Sequence, residues 1–272
     1  MDKQKLDIVY LGEDAFSNVV LQSLISAGHH VKLVITPWYD NLVYKKLEYT
    51  CLKNNIPFSR NKKINSEETI KQIKDANPDL GVIAHFERLI KQPIIEIPIL
   101  GFINLHPSLL PDYRGMAPQH WPIINRENET GITVHYVDET ADTGNIILQR
   151  HIPLTEDMYV SDLQRIWQKE YQTVMVEAID KIVHNEPTIE QKHLTGRYYG
   201  KLKLEQCTLT PDMPVVEAYS LVRGVSMPYF GARYSDMIIY RAHIKQENEE
   251  TSNPVIHFVY GDLVIDMYKR KL

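Results

Sequence analysis

Apolar and polar positions recur with two different periods along this chain, and the changes of period outline its architecture. LDIVYLG (6–12) is a continuous apolar run ending in glycine, the pattern of a strand buried on both faces. In FSNVVLQSLISAGH the apolar positions 16, 19, 20, 24 and 25 fall at helical spacing and stop at Gly28. VKLVIT (31–36) returns to a strand pattern. YKKLEYTCLKNN (44–55) predicts a helix and IPF (56–58) a short strand. SEETIKQIKDAN (66–77) predicts a helix capped by Ser66, with Glu67 and Glu68 in its first turn. DLGVIAHF (79–86), GFINLHP (101–107), GITVHYVD (131–138) and NIILQRHIPL (145–154) follow as strands. Residues 157–184 keep a helical period throughout and predict one long amphipathic helix, with Pro187 just past its end. This β-α-β alternation predicts an α/β fold, a doubly wound, Rossmann-like and mostly parallel sheet. The first turn reads GEDAF rather than GxGxxG, so the shape implies no dinucleotide cofactor.

Beyond residue 190 the pattern shortens. HLTGRYYGKL and EQCTLTPDM read as loop and extended segments, PVVEAYSLVRGV (214–225) as a helix, and DMIIYRAHI (236–244) as a strand. NPVIHFVYGDLVIDMY (253–268) reads as a hairpin turning around Gly261-Asp262. The expected organisation is therefore a domain over 1–190 and a small C-terminal α+β appendage over 191–272, ending in a β-hairpin. Val255, His257 and Val259 alternate with Ile256, Phe258 and Tyr260, so either face of the hairpin presents an apolar row. A domain this small cannot cover both rows, which predicts a homodimer through the hairpin.

Composition narrows the classes. The chain has 272 residues, 43% of them hydrophobic and 24% charged, enough for a core without a staple. Its two cysteines, Cys51 and Cys207, have no CxxC partner and read as reduced thiols of a cytoplasmic protein. No apolar run approaches a membrane span, and the N-terminus enters a strand with no signal-peptide core before it. The net charge is −5, and residues 207–272 carry seven Lys plus Arg against eight Asp plus Glu. Proteins that grip nucleic acid usually carry a basic patch, so a nucleic-acid partner is not expected, whereas a small anionic ligand is.

The candidate chemistry lies in GFINLHPSLLPDYRG and HYVDETADTG. Asn104 and His106 are two apart in a buried strand and therefore share a face, at the carboxyl end where open α/β sheets place ligands. The following loop is stiffened by proline and turned by Gly115. Asp142 sits in a turn-rich loop after another strand. Taken singly, each of these residues also suits a structural role, and Arg114 a plain surface cation. The combination N-x-H-P-S-L-L-P-x-Y-R-G with H-x-V-x-x-x-x-D-x-G is far more specific than its parts.

These two motifs resemble the folate-dependent formyltransferases, and the resemblance covers the first 190 residues. It implies N10-formyltetrahydrofolate as donor and a catalytic set of Asn104, His106 and Asp142. It also implies folate contacts from Arg88, Leu89 and Ile90, and from the loop of Asp138, Glu139, Thr140 and Ala141. The aromatic-Gly turn usual before the first of these loops is replaced by His85-Phe86-Glu87. The residue types suit the reaction. An amine attacks the formyl carbon, and an amide N–H can stabilise the oxyanion that develops, a role worth ~3 kcal/mol per donor. A histidine can relay the proton that the leaving N10 needs, and a nearby carboxylate stabilises the imidazolium. No metal is required, and no ligand spacing such as HExxH occurs.

Within that family, the tail over 190–272 goes beyond the usual glycinamide ribonucleotide enzyme, and it is shorter and more acidic than the basic barrel of the tRNA enzymes. The chain is most similar to nucleotide-linked (dTDP) amino-sugar N-formyltransferases, in line with VRGVSMPYFGARY (222–234). That likeness implies a 3- or 4-amino-dideoxyhexose as acceptor, in surface-glycan (O-antigen) biosynthesis. Arg114, Tyr198 and Tyr199 are then candidate substrate contacts. The two tyrosines suit either stacking on a base or packing of the loop that carries them. Methionyl-tRNA formyl transfer and a non-catalytic folate-binding protein are the alternatives.

Overall fold

A computed structural model describes residues 4–191 and 196–271. Residues 192–195, within the stretch read as loop and including Thr195 of TGRYYGKL, lie outside the described residues. In chain order the elements begin with β1 (Asp7–Gly12), α1 (Ala15–Ser26), β2 (His30–Pro37), α2 (Lys45–Lys53), β3 (Phe58–Asn61), α3 (Glu67–Ala76), β4 (Leu80–Ala84) and β5 (Phe102–His106). Next come β6 (Arg114–Gly115), α4 (Trp121–Ile124), β7 (Glu129–Tyr136), β8 (Ile146–Pro153), α5 (Val160–Glu170) and α6 (Val174–Val183). The last are β9 (Tyr198–Tyr199), α7 (Val215–Val225), β10 (Ala232–Tyr234), β11 (Met237–Ile244), β12 (Val255–Phe258) and β13 (Gly261–Arg270). They form two compact units, residues 1–112, 132–150 and 167–196 in one and 113–131, 151–166 and 197–272 in the other. The second unit thus draws in two segments from within the first 190 residues.

The first unit is built on a seven-stranded sheet of order β3-β2-β1-β4-β5-β7-β8. Its strands from β3 to β5 run parallel, and β7 pairs antiparallel with β5. The order reverses between β1 and β4, which makes their carboxyl ends a topological switch point, where α/β sheets bind ligands. Apolar side chains of the parallel strands, among them Val9, Leu11, Ile35, Ile83 and Phe102, pack with Ile73 and Ile94 into a core. The helices start where local chemistry says they should. Asp14 caps α1 by accepting from the backbone N–H of Phe16 and Ser17 at 2.9 and 2.8 Å, while Ser17 Oγ accepts from the Asp14 N–H. Ser66 caps α3, and Asn77 ends it in the left-handed region.

Three expectations change. The long helix over 157–184 is two helices, α5 and α6, separated at residues 171–173. There the N–H groups of Gln172 and Thr173 donate to the carbonyls of Lys169 and Glu170, three residues back, and this tightening ends the first helix. Periodicity of side chains alone does not register such a break. The strand expected over 56–58 lies at 58–61, where it follows β2 from Val34 to Pro37. The hairpin turns at Val259-Tyr260 rather than at Gly261-Asp262, because Phe258 pairs with Gly261 and His257 with Asp262.

The second unit holds a four-stranded antiparallel sheet of order β10-β11-β13-β12 against α7. Ile256 and Phe258 point into its core with Leu263 and Ile265. The opposite hairpin face is not the apolar row expected. It carries His257 bonded to Asp262 at 2.8 Å, and Asp266, which with Glu249 holds His243 of the neighbouring strand β11, while Tyr260 leaves its row for the turn, 90% exposed.

His120, in the segment before α4, is buried in this unit at 3% exposure. It bonds the Gly224 carbonyl through Nδ1 at 2.7 Å, so that nitrogen carries the proton. Burial outweighs this bond and pushes its pKa down to about 4. The unfolded chain therefore takes up a proton below about pH 6.5 that the fold refuses until about pH 4, so stability is full above 6.5 and falls as pH drops through that window. Denaturant unfolding at pH 7.5 and pH 5 should show the wild type losing about 2 kcal/mol more than His120→Asn, whose amide can still donate to Gly224. Equal losses would exclude His120 as the titrating group.

Candidate active site

The strand β5 and its antiparallel neighbour β7 set the site. Asn104 and His106 share one face of β5, as the spacing predicts, and Asn104 lies directly opposite His135 of β7. The connection from β7 to β8 then brings Asp142 back over these residues. Asp142 has φ 59, and a side chain on Gly144 would place its Cβ 1.9 Å from the Tyr136 carbonyl oxygen. The turn therefore needs glycine at 144, while the strained backbone at 142 is held from outside. Gln191 does this, donating from Nε2 to the carbonyls of Asp142 (3.2 Å) and Gly144 (2.7 Å).

The tautomer of His135 orients the group. Its Nδ1 lies 2.7 Å from the Tyr136 carbonyl and must donate, so Nε2 carries a lone pair. Asn104 Nδ2 donates to that Nε2 at 3.2 Å, which fixes which way the amide points. Its second N–H faces Asp142 Oδ1 at 3.5 Å, the limit of a hydrogen bond. Asp142 Oδ1 is also 3.6 Å from His106 Nδ1 and 3.5 Å from His135 Nε2. One carboxylate oxygen thus stands among three nitrogens, each at longer than ordinary hydrogen-bond distance. Such contacts have room to shorten when a reactant enters, and the second Asn104 N–H can turn to a developing oxyanion. His106 and His135 are buried, and Asp142 is mostly so. His135 opens the motif HYVDETADTG, yet the sequence reading gave it no role. The signal was its place on the strand that pairs with Asn104, which only the register reveals.

The loop after β5 is fixed by Thr133. Its hydroxyl donates to the Ser108 carbonyl (2.7 Å) and accepts from the Leu110 N–H (3.1 Å) and from Gln149 Nε2 (3.0 Å). Of the remaining candidates, Ile90 is buried in the core, and Leu89 is 62% exposed. Arg88 lies over the Tyr39 ring, 5.6 Å from its centre. Asp138 accepts from the Thr140 N–H at 3.0 Å and from the hydroxyls of Thr140 and Thr143, closing the turn that also holds the exposed Glu139 and the half-buried Ala141. His85 stands just before the first loop with φ 47, a region costly for a side chain. Asp14 at 3.3 Å and the Tyr171 hydroxyl at 3.0 Å hold its ring, and Phe16 stacks on it at 5.2 Å. Arg114, Tyr198 and Tyr199 belong to the second unit. There β6 pairs with β9, and Tyr199 is flanked by the rings of Tyr113 and Trp121, each 5.0 Å away. Tyr199 thus packs its own loop, whereas Tyr198 remains 60% exposed.

Among the described residues no group of histidine, cysteine and carboxylate side chains could hold a metal ion, and no helix is long and apolar enough to cross a membrane. Sequence comparison finds methionyl-tRNA formyltransferases among the relatives. That of Clostridioides difficile (strain 630) is 33% identical over 258 residues, 92% of this chain and 84% of that protein. That of Bacteroides fragilis is 31% identical over 249 residues, 88% and 76%. The fold is like that of WlaRD, a sugar 3N-formyl transferase solved with dTDP and 5-N-formyl-THF, with TM-score 0.76 and 22% identity over 99% of this chain and 100% of that one. It is equally like an N-formyltransferase from Helicobacter canadensis in complex with folinic acid and dTDP-3-aminofucose, with TM-score 0.76 and 20% identity over 97% and 100%. The formyl transferase family model matches residues 8–179, the stretch that carries Asn104, His106, His135 and Asp142, and the chain belongs to that family of formyl-transferring enzymes.

Proposed function

We propose that this enzyme moves a formyl group from N10-formyltetrahydrofolate to the amine of a nucleotide-linked amino sugar, a dTDP-linked 3- or 4-amino-dideoxyhexose used in surface-glycan biosynthesis. The observation that carries the acceptor class is likeness over the full length of both chains to enzymes described with dTDP or a dTDP-amino sugar, their C-terminal parts included. The charge balance of residues 207–272, slightly acidic, supports it as well. The donor fits the polar set at the end of β5. The second N–H of Asn104, which meets Asp142 only at 3.5 Å, suits the formyl oxygen, and His106 and Asp142 suit proton transfer between the incoming amine and the departing N10. Tyr198, with an exposed ring supported over Gly115, suits a base better than Tyr199 does. Arg114 beside it on β6 is the matching candidate for an anionic group.

A second reading, formylation of methionyl-tRNA, is favoured by the identity of 31–33% to tRNA enzymes over most of their length. The two differ in what the acceptor brings. A nucleotide sugar offers a diphosphate and one base, whereas a tRNA offers many phosphates and its binding weakens steeply with salt.

In a panel of dTDP- and UDP-amino sugars and of charged initiator tRNA, with N10-formyltetrahydrofolate as donor, formylation should appear on a dTDP-amino sugar and persist as salt is raised. Formylation of the tRNA alone, with steep salt dependence, selects the second reading. His106→Ala, Asn104→Ala and Asp142→Asn should each lower kcat by roughly 10²-fold or more, with melting temperatures little changed. Near-normal turnover in any of the three would remove that residue from the catalytic set. We also expect a homodimer through the hairpin, whose exposed apolar groups are Val259 and Tyr260 at the turn and Met267 and Tyr268 on β13. Light scattering on the wild type and on a Tyr260→Lys, Met267→Lys variant checks this, with a dimer expected for the first and a monomer for the second. A monomeric wild type at micromolar concentration excludes it.

A further inference from the structure

Glu13 follows directly on β1, at the switch point of the sheet, and no step of the formyl transfer above uses it. The residue is buried, 8% exposed, an unusual setting for an acid. Two groups from other elements converge on it. The Tyr39 hydroxyl, in the loop after β2, donates to Oε2 at 2.7 Å. The backbone N–H of Glu87, in the loop after β4, donates to Oε1 at 3.3 Å. The same loop is tied at its far end, where the side chain of Asn65 accepts from the Lys91 N–H (2.8 Å) and donates to the Leu89 carbonyl (2.9 Å). Between these ties lie Arg88, Leu89 and Ile90.

We propose that Glu13 is a positioning residue for the formyl donor, its buried carboxyl clamping the entry of the 87–91 loop to the ends of β1 and β2. The proposal rests on the donor reading above and on the folate contacts that the family resemblance implies for Arg88, Leu89 and Ile90. A neutral acid can keep both bonds, since each of its oxygens retains a lone pair to accept with. Its carbonyl oxygen can accept the Tyr39 O–H and its hydroxyl oxygen the longer contact from the Glu87 N–H. An ionised carboxylate in the same place faces Asp14 at the cap of α1 and Glu87 on the loop, with Arg88 over the Tyr39 ring as the nearby cation. Burial is the largest influence, and together with those two carboxylates it moves the Glu13 pKa up to about 7 despite the bonds from Tyr39 and Glu87.

The sign follows from linkage. A carboxyl whose pKa is raised in the clamped state stabilises that state below its ordinary pKa, and the contribution disappears as pH rises through about 7. Between its ordinary pKa and about 7 the clamped loop loses population to arrangements in which Glu13 reaches water, by up to about tenfold per pH unit, and above 7, where both arrangements are ionised, the loss levels off. Donor affinity should fall in step, since a donor that selects the clamped loop binds in proportion to its population.

The test measures binding of 5-formyltetrahydrofolate, a stable folate, by calorimetry from pH 5 to 8.5. It runs alongside hydrogen exchange of the Glu87 amide in ligand-free protein. Wild type should bind about tenfold more weakly at pH 7 than at pH 5.5, with little further loss above pH 8, and Glu13→Gln, the isostere of the neutral acid, should flatten that dependence. Glu13→Ala should speed Glu87 exchange about tenfold and raise the donor KM at pH 6.5, with kcat at saturating donor within about twofold of wild type. A pH dependence shared by wild type and Glu13→Gln, or Glu87 exchange unchanged in Glu13→Ala, overturns the proposal. Failure to bind any folate, with Glu87 exchange responding as expected, instead overturns the donor reading and the role built on it.

Discussion

Antiparallel pairing of β7 against β5 puts His135 across from Asn104, and the polar set of this protein depends on that register. A parallel neighbour would need a long crossover, and its return would not deliver a turn at the same edge. Here the chain leaves β7, turns within residues 137–145, and sets Asp142 within 3.5–3.6 Å of the two imidazoles. The order of dependence is clear in the hydrogen bonds. The Tyr136 carbonyl fixes the tautomer of His135, His135 fixes the amide of Asn104, and the second N–H of that amide is thereby aimed at Asp142. A slip of one residue would turn His135 to the other face of the sheet and undo all three.

Much of this was readable in the sequence because it rests on short-range rules. The shared face of Asn104 and His106 is a consequence of strand period, and the caps of α1 and α3 are consequences of Asp14 and Ser66. The sheet came from apolar runs that suit burial on both faces. What the sequence could not show are contacts between residues far apart along it. The break between α5 and α6 lies in backbone hydrogen bonds rather than in the apolar period. Glu13 reads as an ordinary acid until its partners, 26 and 74 residues away, are known. The hairpin failed for a different reason. Gly261 suggests the turn, yet it is the first paired residue of β13, and its φ of 152, which a side chain rarely adopts, serves the start of that strand rather than the turn itself.

The structure also separates residues that the sequence put together. Tyr198 and Tyr199 are neighbours in one motif, but a two-residue strand turns them to different surroundings, one ring to solvent and one between Tyr113 and Trp121. Leu89 and Ile90 divide in the same way, one side chain outward and one into the core. A folate-contacting role for Ile90 is therefore confined to its backbone, and mutating its side chain would report on packing. Adjacent letters in a motif are not interchangeable probes of a site.

Thr133 has a consequence for anyone who would re-engineer acceptor choice. One buried hydroxyl serves Ser108, Leu110 and Gln149 together, so the loop after β5, the strand β7 and the strand β8 share a single joint. A loop transplanted from a relative brings its own sequence over residues 107–113 but inherits this joint from outside the graft. Replacing Thr133 by valine keeps its shape while leaving the Leu110 N–H and the Ser108 carbonyl to find other partners in the interior. The modular piece is therefore the loop together with Thr133 and Gln149, three stretches of sequence that must be exchanged as one.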